Sequence, residues 1–595
     1  MENNFEAHLS DVIIIGAGGA GLRSAIAAAE SNKQLNISLI SKVYPMRSHT
    51  VAAEGGAAGV VQEHDSLENH FNDTVSGGDW LCDQDVVDYF THNATAEMVQ
   101  LEHWGCPWSR KADGSTAVRR FGGMKIERTW YAADKTGFHI LHTLFQTSLK
   151  YPTIHRFDEY FCTDLIVDDG RCQGVVAIEI KTGNIKVFFA KAVIIATGGA
   201  GRVFRFNTNG AIVTGDGMSM AYRAGVALRD MEFVQYHPTG LPGSGVLITE
   251  GCRGEGGTLH NKHGYRYLQD YGLGPETPIG KPENKYMELG PRDKLSQAFW
   301  HEQRKGNTIQ TPLGDAMMLD LTHLGEKKLL ERLPMICSLA KHYVGVDPVK
   351  DPIPVRPAVH YTMGGIRTDI HTASSMAGLY AVGECSSIGL HGANRLGSNS
   401  LAELLVFGKV AGEQAAAFAV NQKQPDTRLL AKFAQDKVDD LVKLRTQQGT
   451  EKSSKLRQEM ASCMEKAFGI YRLGDEMQEG LDTINNLKQR YKNVRVEDQS
   501  KVFNTEFLMT LELRSSLDLA QAMATSALHR KESRGAHQRL DDYQTRDDEN
   551  YLTHTLAYYQ GDDQPRLDYE PVNITRSQPK IRAYGAAGAA EEKVK

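Results

Sequence analysis

Asp11-Val-Ile-Ile-Ile-Gly-Ala-Gly-Gly-Ala-Gly21 is a short β-branched run that breaks into a glycine-rich turn. Val12 to Ile15 reads as a buried strand, because a short apolar run bounded by turn residues suits a strand covered on both faces. Leu22 to Glu30 is alanine-rich and reads as a helix, and Asn36 to Ile40 reads as the next strand. Together they close a βαβ unit of about 30 residues, the length such a unit needs. Gly16, Gly18 and Gly21 then fit G-x-G-x-x-G between strand and helix. Glycine lets the backbone approach a pyrophosphate, and the helix N-terminus favours its charge. The acidic residue expected about 20 positions on, for ribose hydroxyls, is absent. Ser41 and Lys42 stand there, so the adenosine contacts differ from the common NAD pattern.

Two further strand signals end in glycine. Ala192 to Ala196 stops at Thr197-Gly198-Gly199, and Gly378 to Gly383 runs into Glu384. Strands recurring so far apart imply one sheet assembled from distant segments, with another domain inserted between them. Thr214-Gly-Asp216-Gly217 and Gly383-Glu384 each set a carboxylate beside a flexible turn. Such carboxylates can accept from ribose or ribityl hydroxyls, although an ordinary turn uses the same residues. Three glycine clusters in one chain favour FAD over a nicotinamide cofactor. Tyr265 to Lys350 shows little of this pattern and reads as part of an inserted cap. From about Thr427 the texture turns helical. Leu430, Phe433, Val438 and Leu441 fall on one helical face, and similar stretches run through 455–468, 474–491 and 507–530. The final stretch, AAGAAEEKVK, reads as a loose tail.

Composition narrows the class. At about 150 residues per domain, 595 residues suggest several domains. Lys plus Arg is 67 against 73 for Asp plus Glu, a net charge of −6, which disfavours a dedicated nucleic-acid binder. Mean hydropathy is −0.39, and no run approaches the ~18 apolar residues of a membrane span. The N-terminus MENNFEAHLS lacks secretory features and implies a cytosolic location. The 8 cysteines never fall as CxxC. That excludes zinc-ribbon and ferredoxin spacings and argues against a disulfide framework. Electrons therefore need a carrier other than thiols or an internal cluster. His139 and His142 stand at i, i+3 with no third ligand and read as structural. Asp541-Asp542 and Asp547-Asp548-Glu549 read as a solvated acidic stretch, so no metal site is expected.

Arg47-Ser48-His49-Thr50-Val-Ala-Ala-Glu54-Gly55-Gly56 resembles the flavin-attachment motif of the succinate dehydrogenase and fumarate reductase flavoprotein subunits. FGGMKIERTW, ATGGAGR, TGDGM, QYHPTG, TEGCRGEGG, GPRDK, HYTMGGI, AVGECSS, HGANRLGSNSL and ESRGAHQRLD extend the likeness over nearly the whole chain. In detail the chain is most similar to the flavoproteins of bacterial four-subunit quinol:fumarate reductases. Glu54 fits that side, since the dehydrogenases typically carry Gln there. The resemblance implies an α/β fold with a Rossmann-like FAD-binding domain over 1–236 and 354–417. An α+β capping domain over 237–353 is inserted into it, followed by a helical domain, 418–535, and a short C-terminal region, 536–595. It implies FAD held by a covalent 8α-histidyl bond to His49. The other cofactor contacts it implies are Gly16, Ala17, Gly18, Gly19, Ala20, Ser41, Lys42, Ser48, Thr50, Glu54, Gly55, Gly56, Asp216, Glu384, Ser400 and Leu401.

The same resemblance implies fumarate as substrate and succinate as product. His237, Thr249, His360 and Arg395 would hold the two carboxylates, Arg292 would give the proton, and Glu250 and Arg253 would resupply it. Arginine suits a carboxylate because its planar fork bonds bidentately. As an acid it is unusual, being effectively always protonated, so rapid reprotonation is required. Cys252, inside the same motif, is either a small packed residue or a thiol whose alkylation blocks the pocket. The implied partners are an iron–sulfur subunit, two membrane anchor subunits and menaquinol, with the protein peripheral on the cytoplasmic face of the bacterial inner membrane in anaerobic respiration. Three other readings stay open: succinate dehydrogenase running the reverse reaction, L-aspartate oxidase (whose flavin is not covalent) and a non-catalytic flavin-containing scaffold.

Overall fold

The computed structural model describes residues 5–582, so the tail AAGAAEEKVK lies outside the described residues. Its central sheet is parallel, in the order Leu379–Ala381, Ala192–Ile195, Val12–Ile15, Ile37–Ser41, Ile154–Asp158. The three strands read from sequence are neighbours here, and all four residues of Val12–Ile15 are buried. The helix Gly19–Ser31 crosses back over the sheet and packs on Asn399–Val420. Two glycines permit that approach. A Cβ on Gly412 would lie 2.2 Å from the Ser24 carbonyl, and one on Gly408 would lie 3.1 Å from that of Ala20. A second sheet, Glu6–Leu9, Ile185–Phe189, Arg171–Glu179 and Tyr160–Asp168, flanks the first.

Between these halves the chain builds a separate antiparallel sheet, in the order Val234–Gly240, Ile353–Thr362, Gly314–Asp320, Thr258–His260. Helices Arg292–Arg304 and Pro334–Val344 belong to the same unit. It has its own core, with Ile248, Leu268, Leu295, Phe299, Met317, Ile336 and Ile353 buried together. Strands Val234–Gly240 and Ile353–Thr362 carry the chain into and out of it. Their pairing shifts register between Gln235 and Tyr236 and again between His237 and Gly240.

The C-terminal part is four helices, Thr427–Thr446, Ser453–Ala467, Gly474–Tyr491 and Thr505–His529. The buried stripe of the first is Leu430, Ala434, Val438 and Leu441, whereas Phe433 is exposed. At about 100° per residue the four buried positions span a narrow arc, and Phe433 falls at its margin, to one side of Leu430. A hairpin, Thr553–Tyr558 with Arg566–Pro571, then adds two strands beside Leu228–Arg229. The acidic stretch before it is paired, not merely solvated: Asp541 takes Arg539, and Asp548 takes both Arg534 and Arg546 at 2.9 Å.

Candidate active site

A cavity of about 440 Å³ opens above the C-terminal edge of the parallel sheet. That edge is where ligands bind in open α/β sheets, because strand ends and helix N-termini converge there. Gly16 to Ala20, Ser41, Lys42, Ser48 to Thr50, Glu54, Asp216, Glu384, Ser400 and Leu401 all line it. Gly16 adopts φ +108°, and a Cβ on Gly21 would sit 1.8 Å from the Gly16 carbonyl, so the turn tolerates no side chain at either place. Gly18 caps the first helix without any side-chain cap, leaving its N-terminal end to an anion. Gly55 and Gly56 are not on the cavity wall. A Cβ there would meet Phe121 at 2.7 Å or the Trp130 carbonyl at 2.3 Å, so close packing accounts for both glycines.

Lys42 donates to Asp216 at 2.7 Å, to Glu512 at 2.8 Å and to Thr214 at 3.0 Å. The two residues singled out separately for sugar contacts are thus one ion pair on the wall. Glu384 accepts from the Thr362 amide at 3.0 Å, and burial pushes its carboxyl up to about 7. Glu54 is held well above the carboxylate range by burial and by nearby Asp134. The wall also includes Tyr160 to Cys162, Thr197 to Gly199, Asn207 to Gly210, and Met335 and Leu339 from the inserted unit. Of these, only the glycine turn at Thr197 carried a sequence signal. Thr197 Oγ1, Asn209 Oδ1 and Glu54 Oε2 are buried polar atoms without a protein partner. Such atoms are costly unless something satisfies them. A glycine-lined phosphate cradle at one end and unsatisfied donors and acceptors along the wall fit a dinucleotide with a polar ring system such as FAD.

His49 stands on this wall, where the Gly210 amide donates to its Nδ1 at 3.4 Å. Although the ring is open to the cavity, the enclosing protein lowers its pKa to about 4, so the imidazole is neutral.

The residues singled out for the substrate gather beside the cavity, which His360 also lines. His237 and His360 come from the paired strands, with ring centroids 5.1 Å apart. Burial, then Arg292, holds both well below the usual histidine range. Neutral rings can donate hydrogen bonds without adding charge. Arg292 is the first residue of its helix. It donates from Nε to Glu250 at 2.8 Å, lies 2.7 Å from the same oxygen through Nη2, and donates from Nη1 to Gln235 at 3.1 Å. Arg253 sits one step further along, its Nη2 3.8 Å from Glu250, and its Nε and Nη2 have no hydrogen-bond partner in the protein. Burial raises Glu250, but Arg292, Arg253 and the Gly122 amide outweigh it and hold the carboxylate below its ordinary value. Arg395 donates to Ser400 at 2.8 Å and to Gln235 at 3.1 Å, stacks over Tyr361 at 4.4 Å and leaves Nε unpaired. Burial and the neighbouring Arg292 lower its pKa to about 9.

Gln235 is the residue sequence reasoning missed. Its single Oε1 accepts from both arginines, while its Nε2 donates to Asn394 at 2.9 Å and to the Arg395 carbonyl at 2.7 Å. The one available hint was its place two before His237, on the same strand face. Thr249 is buried and accepts from the Gly251 amide at 3.2 Å. Cys252 is fully buried within the inserted unit's core, which supports the packed reading. His139 and His142 lie on the helix Thr136–Ser148, and among the described residues no group of three potential ligands forms a metal site.

The fold and cavity define an FAD-binding oxidoreductase flavoprotein: residues 11–401 match the FAD binding domain family. Residues 457–584 match the fumarate reductase flavoprotein C-terminal family. The chain belongs to the fumarate reductase flavoprotein family. It is 66% identical to the fumarate reductase flavoprotein subunit of Serratia sp. (strain ATCC 39006), over 98% of each chain. A solved flavoprotein of Escherichia coli quinol fumarate reductase shares 64% identity at a TM-score of 0.96, covering 98% of this chain and 99% of that one. A quinol-fumarate reductase solved with menaquinol molecules gives 64% and 0.95, covering 97% and 100%. Against a succinate dehydrogenase flavoprotein of Rickettsia conorii the identity is 41%, over 98% of each chain.

Proposed function

We propose that this chain is the catalytic flavoprotein subunit of a membrane-attached quinol:fumarate reductase, reducing fumarate to succinate in anaerobic respiration. The observation that carries the reading is the buried line Arg253, Glu250, Arg292 ending beside Arg395 and His360 at the flavin-type cavity. FAD, held by the glycine turn, Ser41 to Lys42 and Ser48 to Thr50, would supply the hydride for one alkene carbon. Arg395, His360, His237 and Thr249 hold the two carboxylates by charge and by donated hydrogen bonds. Arg292 gives the proton to the other carbon, and Glu250, already hydrogen-bonded to Arg292, returns one from Arg253. Low-dielectric burial strengthens each of these contacts.

His49 is the attachment point in this reading. A neutral imidazole has the lone pair that a covalent bond to the flavin 8α-methyl requires, and the lowered pKa keeps it available. The inserted unit, 237–353, acts as a cap that brings Arg292 onto the substrate. The chain takes electrons from an iron–sulfur subunit and docks, with it, on two membrane anchor subunits that oxidise menaquinol at the cytoplasmic face of the inner membrane. Support comes from the relative solved with menaquinol; among the described residues no helix is long and apolar enough to cross a membrane.

Succinate dehydrogenase is the second reading, because the resemblance implies the same catalytic residues for it; the lower identity to that side, 41% against 66%, disfavours it. The test compares fumarate reduction with succinate oxidation in the membrane complex, using low- and high-potential quinones. Faster fumarate reduction with the low-potential quinol is expected. Faster succinate oxidation with both quinones would assign the chain to the dehydrogenases.

A further inference from the structure

The last described residues run as an extended strap over the flavin-binding unit. The buried side chain of Gln84 grips the strap's backbone. Its Oε1 accepts from the amides of Thr575 at 3.1 Å, Arg576 at 2.9 Å and Ser577 at 2.9 Å, and its Nε2 donates to the Ser577 carbonyl at 2.7 Å. Asp83 takes the Asn573 amide at 2.9 Å, and Trp80 donates to the Ser577 hydroxyl at 3.1 Å. The Arg576 guanidinium lies 3.8 Å from the centre of the Phe71 ring and donates to Asp88 at 2.8 Å. Five residues beyond Ser577, the strap reaches the inserted unit. There Arg582 meets Asp293 through both ends of its fork, at 2.8 and 3.3 Å, and lies 3.7 Å from Asp79 of the flavin-binding unit. The side chains of this trio are 6%, 2% and 8% exposed, so the contact is shielded from solvent.

Asp293 is the residue after Arg292. The helix they begin has Pro291 as its cap and no side-chain cap of its own. Its first turn is therefore placed by Arg292's own contacts with Glu250 and Gln235 and by what holds Asp293. The carboxylate suits that position because it faces the positive end of the helix. Arg582 supplies a planar fork that fixes the carboxylate in direction as well as distance. The far end of the same helix is tied separately, by His301 to the Tyr471 hydroxyl at 3.0 Å and by Trp300 against the Tyr471 ring at 4.7 Å. The helix is thus anchored at both ends by segments outside its own unit: Arg292 itself reaches Gln235, and the Arg582 tie holds the very next residue.

We propose that Arg582 is a positioning residue for the reaction: acting through Asp293, it sets the first turn of the cap helix, and with it the Arg292 guanidinium, against the substrate. The inference rests on the reading of Arg292 as the proton donor. Displacement of a reacting group by about 1 Å can cost on the order of a hundredfold in rate. Loss of the fork is therefore expected to lower kcat and leave carboxylate recognition by Arg395, His237 and His360 in place.

The experiment uses the assembled membrane complex with Arg582→Ala, Arg582→Lys, Asp293→Asn and the double substitution Arg582→Ala/Asp293→Asn. Each is measured for fumarate kcat and KM, for malonate affinity by the flavin absorbance shift, for flavin content and for thermal midpoint. The expected result is a kcat lowered roughly ten- to a hundredfold in Arg582→Ala, malonate affinity within threefold of the parent, unchanged flavin content and partial recovery in Arg582→Lys. The double substitution should be no slower than the worse single one. An unchanged kcat in Arg582→Ala overturns the proposal. So does a loss of kcat that comes with matching losses of flavin content and thermal midpoint and no recovery in Arg582→Lys. Arg292→Lys is run beside them: if that variant keeps full turnover, the reading of Arg292 has failed, whereas a dead Arg292→Lys with a normal Arg582→Ala sinks only the positioning role.

Discussion

Arg292→Lys keeps a cation at the head of the cap helix and removes its geometry. In the parent, Nε and Nη2 both reach Glu250 and Nη1 reaches Gln235, at 2.8, 2.7 and 3.1 Å. A single ammonium on a shorter stem can keep one of these directions. Two charge-assisted hydrogen bonds are then lost, and each contributes about 1.5–3 kcal/mol. That sums to about 3–6 kcal/mol of placement at the reacting carbon. Two to four decades of rate correspond to about 2.7–5.4 kcal/mol, the range typical of a general acid. The expected outcome is therefore a kcat reduced by roughly 10²–10⁴ at saturating fumarate, with flavin content and reduction of the flavin by the electron-donating partner intact. The assay is fumarate-dependent oxidation of a quinol analogue by the purified complex, beside stopped-flow reduction without fumarate. Turnover within a few-fold of the parent would refute the assignment and point to His237 or Arg253 as the acid.

His49→Ser should abolish flavin fluorescence in the acid-denatured, gel-separated chain yet leave FAD bound in the folded protein; persistent fluorescence would move the attachment elsewhere. Glu250→Gln should slow turnover with little change in malonate affinity, because it interrupts proton resupply and leaves the carboxylate-holding groups in place; a matching loss of affinity would count against a relay role. Gln235→Leu should raise KM and lower kcat together, since one amide oxygen serves both Arg292 and Arg395; an effect on only one parameter would show that it serves only one arginine. His554 lies 2.6 Å from Asp230 and 3.2 Å from Asp83, and although burial opposes its charge, these carboxylates raise its pKa to about 9. Its folded pKa exceeds the unfolded value of about 6.5, so its stabilisation of the C-terminal hairpin is full below that pH and is lost as pH rises through about 9. Proteolysis of the hairpin should accelerate over that window, and His554→Gln should flatten the profile.

The parallel sheet was legible because its strands are short apolar runs stopped by glycine, and glycine there is a steric necessity: Gly16 and Gly21 leave no room for a side chain. The helical part is legible as helix, but Phe433, at the margin of the apolar arc, is exposed, because the pattern does not show how wide a face the neighbouring sheet covers. The C-terminal hairpin escaped notice. Arg566–Pro571 is largely exposed and charged, so it lacks an apolar alternation, and it is held by pairing with Thr553–Tyr558, which itself pairs with the distant Leu228–Arg229. At the site, the charged residues stood out through their motifs. Gln235 did not, because a buried amide has no charge and no spacing rule; its role exists only once two arginines from opposite sides converge on it. The Lys42–Asp216 pair was legible as two separate candidates and not as a contact, since nothing local links residues so far apart in the chain.

Charge balance joins the two halves of the site. Three buried guanidiniums, Arg253, Arg292 and Arg395, surround one carboxylate, Glu250, while burial and the arginines keep His237 and His360 neutral. Three positive charges less one negative leave two in excess, which is the charge of a dicarboxylate substrate with opposite sign. Arg395 Nε and Arg253 Nε and Nη2 have no hydrogen-bond partner in the protein, and buried charge that is only partly hydrogen-bonded is expensive. In the proposed reading, a dianion binding beside these arginines would lower that cost, so their excess positive charge would favour a dicarboxylate. The neutral histidines matter for the same reason. Were either protonated, the excess would reach three, Arg395 would be pressed further from its charged state, and a dicarboxylate could no longer neutralise the pocket. Gln235 completes the arrangement by giving two like-charged arginines a shared acceptor without cancelling either charge, which an acidic residue in the same place would do.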